Sequence, residues 1–199
     1  KEQLNSFNKI MSKFYTYNSL KSNLNSYLKD NIPKDSLVKV LKLYDKPLII
    51  KMRKLESDFL NPNNKAKINL FYQNINSMPL SDKRIDLVSR LNIALNSLDF
   101  SINLIENLSI GIARGANSLQ SIENRLSDDD LIIKVKEKLP EGLNDKISYN
   151  LILSTLYIFQ SVNEVELEKY VEIWESSLGD YFQDQLFEAY NYAFKNSIK

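Results

Sequence analysis

IDLVSRLNIALNSLDFSINLIENLSIGIARGANSLQSIENRL, residues 85–126, is the stretch on which the fold turns. Ile85, Val88, Leu91, Leu95, Leu98, Ile102, Ile105, Ile112, Ala116, Leu119, Ile122 and Leu126 recur at steps of three and four or their sum. That spacing lays one apolar stripe along a helix, whereas a half-buried strand would alternate every second residue. The run is too long for an ordinary helix. A break near NSLDFS, with Ser97 or Asp99 as the new N-cap, predicts two helices packed as an antiparallel or bent pair.

Composition supports the same class. Among 199 residues there are only 4 glycines and 5 prolines. Sheets need many turns, and turns consume both residue types. With 43% hydrophobic and 26% charged residues the chain can build a substantial core. The expectation is an all-α, multi-helix bundle of about six to eight helices. It is read as one domain over 1–199, with 1–60 as a looser N-terminal arm.

Local signals place the other helices. Leu4, Phe7, Met11, Phe14, Leu20, Leu24 and Leu28 predict a first helix over 4–29, ended by DNIPKDS. Asp35 or Ser36 can cap a second, with Leu37 to Phe59 as its stripe and Pro47 as a kink or break. Asn61 and Pro62 open the next, to about 76, and Ser81 caps the one after. Ser127 with Asp130, and Asn163 with Glu166, have capping-box spacing. Pro140 and Gly142 end the helix that Ser127 begins. Residues 144–161 are apolar on most sides and are expected at the centre. A last helix spans 178 to about 197.

Charge and missing residue types narrow the chemistry. Net charge is +1, so nucleic-acid binding gains no support. Cysteine and histidine are both absent, which excludes disulfides, thiolate nucleophiles and the commonest metal ligands and general base. No metal and no cofactor is expected. No apolar run is long enough for a transmembrane segment. A chain beginning at Lys1 reads as a processed or truncated product, consistent with a signal peptide removed. Lack of cysteine fits an oxidising compartment.

Each motif was weighed against the plainer role. In YVEIWESSLGDYF (170–182), Tyr170, Ile173, Ser176 and Gly179 recur every third residue. A serine nucleophile there would lack a histidine base, with Lys169 the nearest cation, so a helix-to-helix turn capped by Ser176 or Ser177 is favoured. In SIGIARGANS, Ser109, Gly111, Gly115 and Ala116 would let another helix approach closely. A phosphate loop is disfavoured because no Lys-Ser/Thr pair follows Gly115. DDD at 128–130 suits a helix N-terminus better than a cation loop. Glu168 and Glu172 could serve as acid and base but read as an exposed acidic face. KFYTY (13–17), with Lys9, Lys13 and Lys21, could stack on bases but fits core or interface better. A candidate apolar cavity is assigned to Leu151, Tyr157, Trp174, Phe182 and the face around Gly111.

The near-neutral total hides two poles. Lys34, Lys39, Lys42, Lys46, Lys51, Arg53 and Lys54 crowd residues 34–54, and eight carboxylates crowd 164–188. They can neutralise each other within the fold or form a partner surface, with an anionic lipid contact as the weaker alternative.

Residues 65–199 resemble the bacterial proteins grouped as domain of unknown function 2059. The likeness is carried by RIDLVSRLNIALNSLDFSINLIENLSIGIARG (84–115) and by Tyr170, Ile173, Ser176, Ser177 and Gly179. Ile173 stands where the family has an aromatic, and Ser177 where it has proline. The resemblance implies an exported, mostly helical envelope protein, periplasmic or secreted, with no catalytic residues to carry over. The function expected is a non-enzymatic interaction or structural module, through a protein partner or self-association. The alternative is a carrier of a lipid or other apolar ligand. An enzyme using Asp/Glu chemistry ranks third.

Overall fold

The computed structural model describes residues 15–197. Among them there are ten α-helices and no strand, so the all-α expectation holds while the number of helices exceeds the six to eight expected. They are α1 Tyr17–Asn31, α2 Lys34–Tyr44, α3 Pro47–Phe59, α4 Lys65–Asn74, α5 Asp82–Ala94, α6 Ser97–Ser118, α7 Asp128–Glu137, α8 Leu143–Ile158, α9 Glu164–Glu175 and α10 Ser177–Ser197. The part of the first predicted helix before residue 15 lies outside the described residues.

The extra helices come from breaks that the pattern alone under-read. Pro47 starts α3 at its first position, where its missing N–H costs nothing, so the break is complete rather than a kink. The α2 cap position is Pro33, with no side-chain hydrogen bond; neither Asp35 nor Ser36 caps it. Between α5 and α6, Asn96 takes the left-handed conformation at φ 49°. Asparagine tolerates that region better than most residues. Gly142, at φ 69°, makes the corresponding reversal before α8.

Capping chemistry explains the other starts. Asn61, Ser81, Ser127 and Asn163 each accept a hydrogen bond from a backbone N–H two or three residues on, at 2.9–3.2 Å. Asn163 and Ser127 also donate to the side chains of Glu166 and Asp130, closing both boxes.

Contacts divide the chain into two compact units. The first comprises 1–32, 99–144 and 185–199; the second comprises 33–98 and 145–184. The stretch expected as a looser arm is shared between them, and within it Ile49 and Met52 have no exposed surface.

The second unit holds most of the buried apolar side chains. Its best-packed helix pair is α5 with α9. Leu87, Val88 and Leu91 form the buried stripe of α5, and Leu167, Tyr170, Val171 and Trp174 that of α9. Each such side chain contributes about 1.5–3 kcal/mol by leaving water. Salt bridges edge the pair: Lys83–Glu168 at 2.9 Å and Arg90–Glu175 at 2.6 Å. Arg84 reaches from α5 to the end of α8, donating to Phe159 O at 3.2 Å and Val162 O at 2.6 Å. α8 is less central than expected: only Leu153, Thr155 and Leu156 are buried along it, and Tyr149 is 59% exposed.

In the first unit α1 lies along α10. Ser19 and Asn23 donate to Ser197 Oγ, and the Tyr27 and Tyr192 rings meet at 5.5 Å. No residue of α1 is fully buried.

Candidate functional site

The α6–α7 region of the first unit is built around a close approach on one side and an open one on the other. Gly111 and Gly115 lie one turn apart on the buried side of α6. A Cβ at Gly111 would stand 2.5 Å from Tyr15 Cε2 and 2.8 Å from Cζ, so glycine is what admits that ring. Tyr15 donates its hydroxyl hydrogen to Asn107 O at 2.9 Å and meets Phe194 edge-on at 5.3 Å. Burial pushes its phenol up to about 12, partly offset by the Arg114 charge.

Past Ser118 the chain leaves the helix and is tied down by polar bonds. Asn117 donates to Leu126 O at 2.9 Å and accepts from Leu126 N at 3.0 Å. Arg125 donates to Ser118 O and Gln120 O at 2.9 and 3.1 Å. Arg114 forms a two-pronged pair with Asp128, Nε to Oδ1 at 2.6 Å, and holds that carboxyl below the usual range.

The segment so fixed turns its apolar residues outward. Leu119 is 80% and Ile122 82% exposed, with Ile133 on α7 exposed nearby in sequence. This corrects the sequence reading, which put Leu119, Ile122 and Leu126 on a continuing core stripe; α6 stops at Ser118 and the stripe stops with it. The same segment, through Gln120, Asn124 and Leu126, walls a hollow of about 340 Å3 that Ala113, Ala116, Asn117, Leu131, Val135, Lys134 and Lys138 also line.

The predicted small-residue set is divided by this arrangement. Gly111 and Gly115 are buried, Ser109 is half-buried, and Ala116 is exposed on the hollow instead of on the close-packed side.

The predicted helix-turn residues meet at the α9–α10 junction. Ser176 is extended between the helices, donating to Ile173 O at 2.6 Å and accepting from Gly179 N at 3.2 Å. Gly179 is buried against backbone: a Cβ there would stand 2.6 Å from Trp174 O and 2.7 Å from Trp174 Cα. Tyr170 is buried and Ile173 half-buried.

Among the hollows described, none is lined by more than one of the predicted apolar cavity residues. Tyr44 packs against both Trp174 and Phe182, with ring centroids 6.1 Å apart in each case. Leu151 is half-buried. Tyr157 alone of the four lines a described hollow, a wide one of about 470 Å3 with mixed polar walls including Asp58, Asn64 and Gln160. Gly111 is covered by Tyr15. A hollow the sequence did not point to lies between α1 and α10, about 310 Å3, lined by Tyr17, Leu20, Leu24, Tyr190, Ala193 and Phe194, with Lys21 at the edge.

One buried polar cluster was also not anticipated. Tyr170 donates to Glu56 Oε1 at 2.8 Å. Burial raises the Glu56 carboxyl, opposed by that hydrogen bond and by Arg53. Burial and the adjacent carboxylate raise the Tyr170 phenol in turn. The Trp174 indole N–H sits near enough to favour the Tyr170 phenolate slightly, yet outside hydrogen-bonding geometry, and has no partner.

The acidic pairs considered for chemistry are engaged or dispersed. Glu168 is paired with Lys83, and Asp130 with Ser127. Among the described residues no three carboxylates are placed to hold a metal ion. Tyr17 of KFYTY is exposed with Lys21 over its ring; Lys9, Lys13 and Phe14 lie outside the described residues. Of the basic run 34–54, Lys51 meets Glu166 at 2.8 Å, whereas the α9 acids otherwise meet α5. No helix among the described residues is long and apolar enough to cross a membrane.

No family model, no curated protein and no solved structure matches the chain.

Proposed function

We propose that the chain is a non-enzymatic helical interaction module of the bacterial envelope that docks an amphipathic helix of a partner protein on the α6–α7 surface. One observation carries this reading: a segment held by polar bonds keeps Leu119 and Ile122 in water while its Gln120, Asn124 and Leu126 wall a largely apolar hollow. Exposed leucine and isoleucine gain nothing for the isolated chain, while a fixed apolar surface lowers the ordering cost of binding. Lys134 and Lys138 at the margin favour a partner helix with acidic flanks. The exported setting is supported by the motif resemblance and the absence of cysteine.

The test titrates two labelled amphipathic peptides with one apolar face and either acidic or basic flanks. The acidic peptide should bind, and Leu119→Ser with Ile122→Ser should weaken it about tenfold or more. Equal binding of both peptides, or no effect of the substitutions, would overturn the reading. Concentration-dependent dimerisation that the same substitutions abolish would assign the surface to self-association instead.

A second reading is favoured by the α1–α10 hollow, whose walls are almost wholly apolar and whose volume of about 310 Å3 suits a small ligand. In that reading the chain carries a lipid or other apolar molecule. Native mass spectrometry of protein from its own host should then show a retained ligand, lost when Leu24→Trp fills the space.

A further inference from the structure

The α2–α3 part of the second unit carries more apolar surface than its packing uses. The two helices are joined by Asp45 and Lys46 and pack on each other. Val40, Ile49 and Met52 supply their buried stripe. Another aliphatic set is exposed: Val38 at 42%, Leu41 at 56% and Ile50 at 57%. On α2, Lys34, Val38, Leu41 and Lys42 are related by steps of three and four, so they share one face. On α3, Ile50 and Lys54 share a face for the same reason.

The lysines around these aliphatics are uncommitted. Lys51 pairs with Glu166, and the Arg53 guanidinium lies over the Tyr44 ring at 4.8 Å. Lys34, Lys39, Lys42, Lys46 and Lys54 are exposed and enter no ion pair among the described residues. Asp35, Asp45 and Asp58 are the exposed acids of the two helices, and Glu56 is held by Tyr170. The face is therefore locally basic although the chain is nearly neutral.

We infer that this exposed face of α2 docks on an anionic bilayer surface, with Val38 and Leu41 at the acyl boundary and Lys34 and Lys42 extended to lipid phosphates. Three features favour lipid over other polyanions. Aliphatics lie between the cations, as interfacial helices require. The cations are lysines, whose long stems lie along apolar surface while the ammonium stays in water. The residues that would recognise bases or fork a phosphate, Tyr44 and Arg53, are turned to each other, with Tyr44 also against Trp174 and Phe182.

Flotation of the intact chain with vesicles tests this. It should float with phosphatidylcholine vesicles containing phosphatidylglycerol, not with phosphatidylcholine alone, and raised salt should release it. Val38→Ser with Leu41→Ser, and separately Lys34→Gln with Lys42→Gln, should each lower partitioning about tenfold with helical content unchanged. Acetylation mapped by mass spectrometry on the unaltered chain should show Lys34 and Lys42 shielded by the anionic vesicles, a readout that does not depend on any variant folding. Absence of shielding, or equal flotation with both vesicle types, overturns the proposal. So does a serine variant that floats like the parent while the chain binds heparin or an acidic polypeptide equally well, which would make the face a general polyanion contact.

Discussion

The two units of this chain spend their apolar residues differently. In the second unit, residues 33–98 and 145–184, aromatic rings are packed into one another: Tyr44 with Trp174 and Phe182, Phe71 with Tyr157, Phe159 with Tyr170. Leu87, Val88, Leu167 and Val171 there have no exposed surface. In the first unit, only Ile32, Leu131, Ala189, Ala193 and Phe194 are buried apolar side chains among the described residues. Its hollows of about 310 and 340 Å3 have chiefly apolar walls, whereas the hollow of about 470 Å3 in the second unit has polar walls as well; aliphatics meet water in both, Leu119 and Ile122 in the first and Val38, Leu41 and Ile50 in the second. Helical content is high in both, so helix formation by itself does not measure packing. Closed cores derive their stability from removing apolar surface from water, and open ones retain surface that something else can cover.

The largest effect that would sharpen this contrast is from the core of the second unit. Leu167→Ala should cost about 2–5 kcal/mol in urea unfolding, because a fully buried side chain leaves a cavity. Leu24→Ala, at the wall of an existing hollow, should cost under about 1 kcal/mol. Equal costs would break the comparison.

The glycines provide a second pair. Gly179→Ala drives a methyl into the Trp174 backbone and should cost about 3 kcal/mol. Gly111→Ala meets the Tyr15 ring, which can swing aside, and should cost about 1 kcal/mol, with the Tyr15–Phe194 contact altered in the side-chain nuclear magnetic resonance spectrum.

Glu56→Gln should stabilise the second unit by about 1 kcal/mol at neutral pH, since glutamine still accepts from Tyr170 and buries no charge. The sign follows from the raised Glu56 carboxyl. Its stability contribution is complete below the ordinary value of 4.5 and is lost as pH rises through the folded value. The advantage of glutamine should therefore vanish in acid, as urea midpoints across pH will show. In the first unit the raised Tyr15 phenol makes the corresponding alkaline prediction. Its contribution holds below 10.0 and fades as pH rises through about 12, a step that Tyr15→Phe should remove from the unfolding profile. The smallest effect is expected for Leu119→Ser with Ile122→Ser, within about 0.5 kcal/mol by the same urea assay.

What was legible in the sequence was mostly local. Asn61, Ser81, Ser127 and Asn163 announce helix starts because the cap and its N–H lie within three residues of each other. Gly179 and Ser176 read as a turn for the same reason, though the backbone that makes glycine necessary could not be read. The end of α6 was misjudged because Leu119, Ile122 and Leu126 keep helical spacing across a segment whose ties, Asn117 and Arg125, look like ordinary surface residues. The polar interruptions Gln120 and Ser121 were the available signal. The packing around Trp174 was not legible because Tyr44, whose ring meets it, lies 130 residues earlier. Tyr15 over Gly111 is distant in the same way.

Arg84 has a consequence for how this sequence can change. Beyond the close of α8, Phe159 O accepts from Val162 N at 2.9 Å and also from the Arg84 guanidinium, which reaches Val162 O as well. The corner 159–162 is thus tied to position 84 through its backbone, while the buried side chains of Phe159 and Val162 are held by the core. A lysine, with one ammonium, could serve one carbonyl but not both with the same geometry. The backbone path of that corner is accordingly coupled to a residue 75 positions upstream of Phe159.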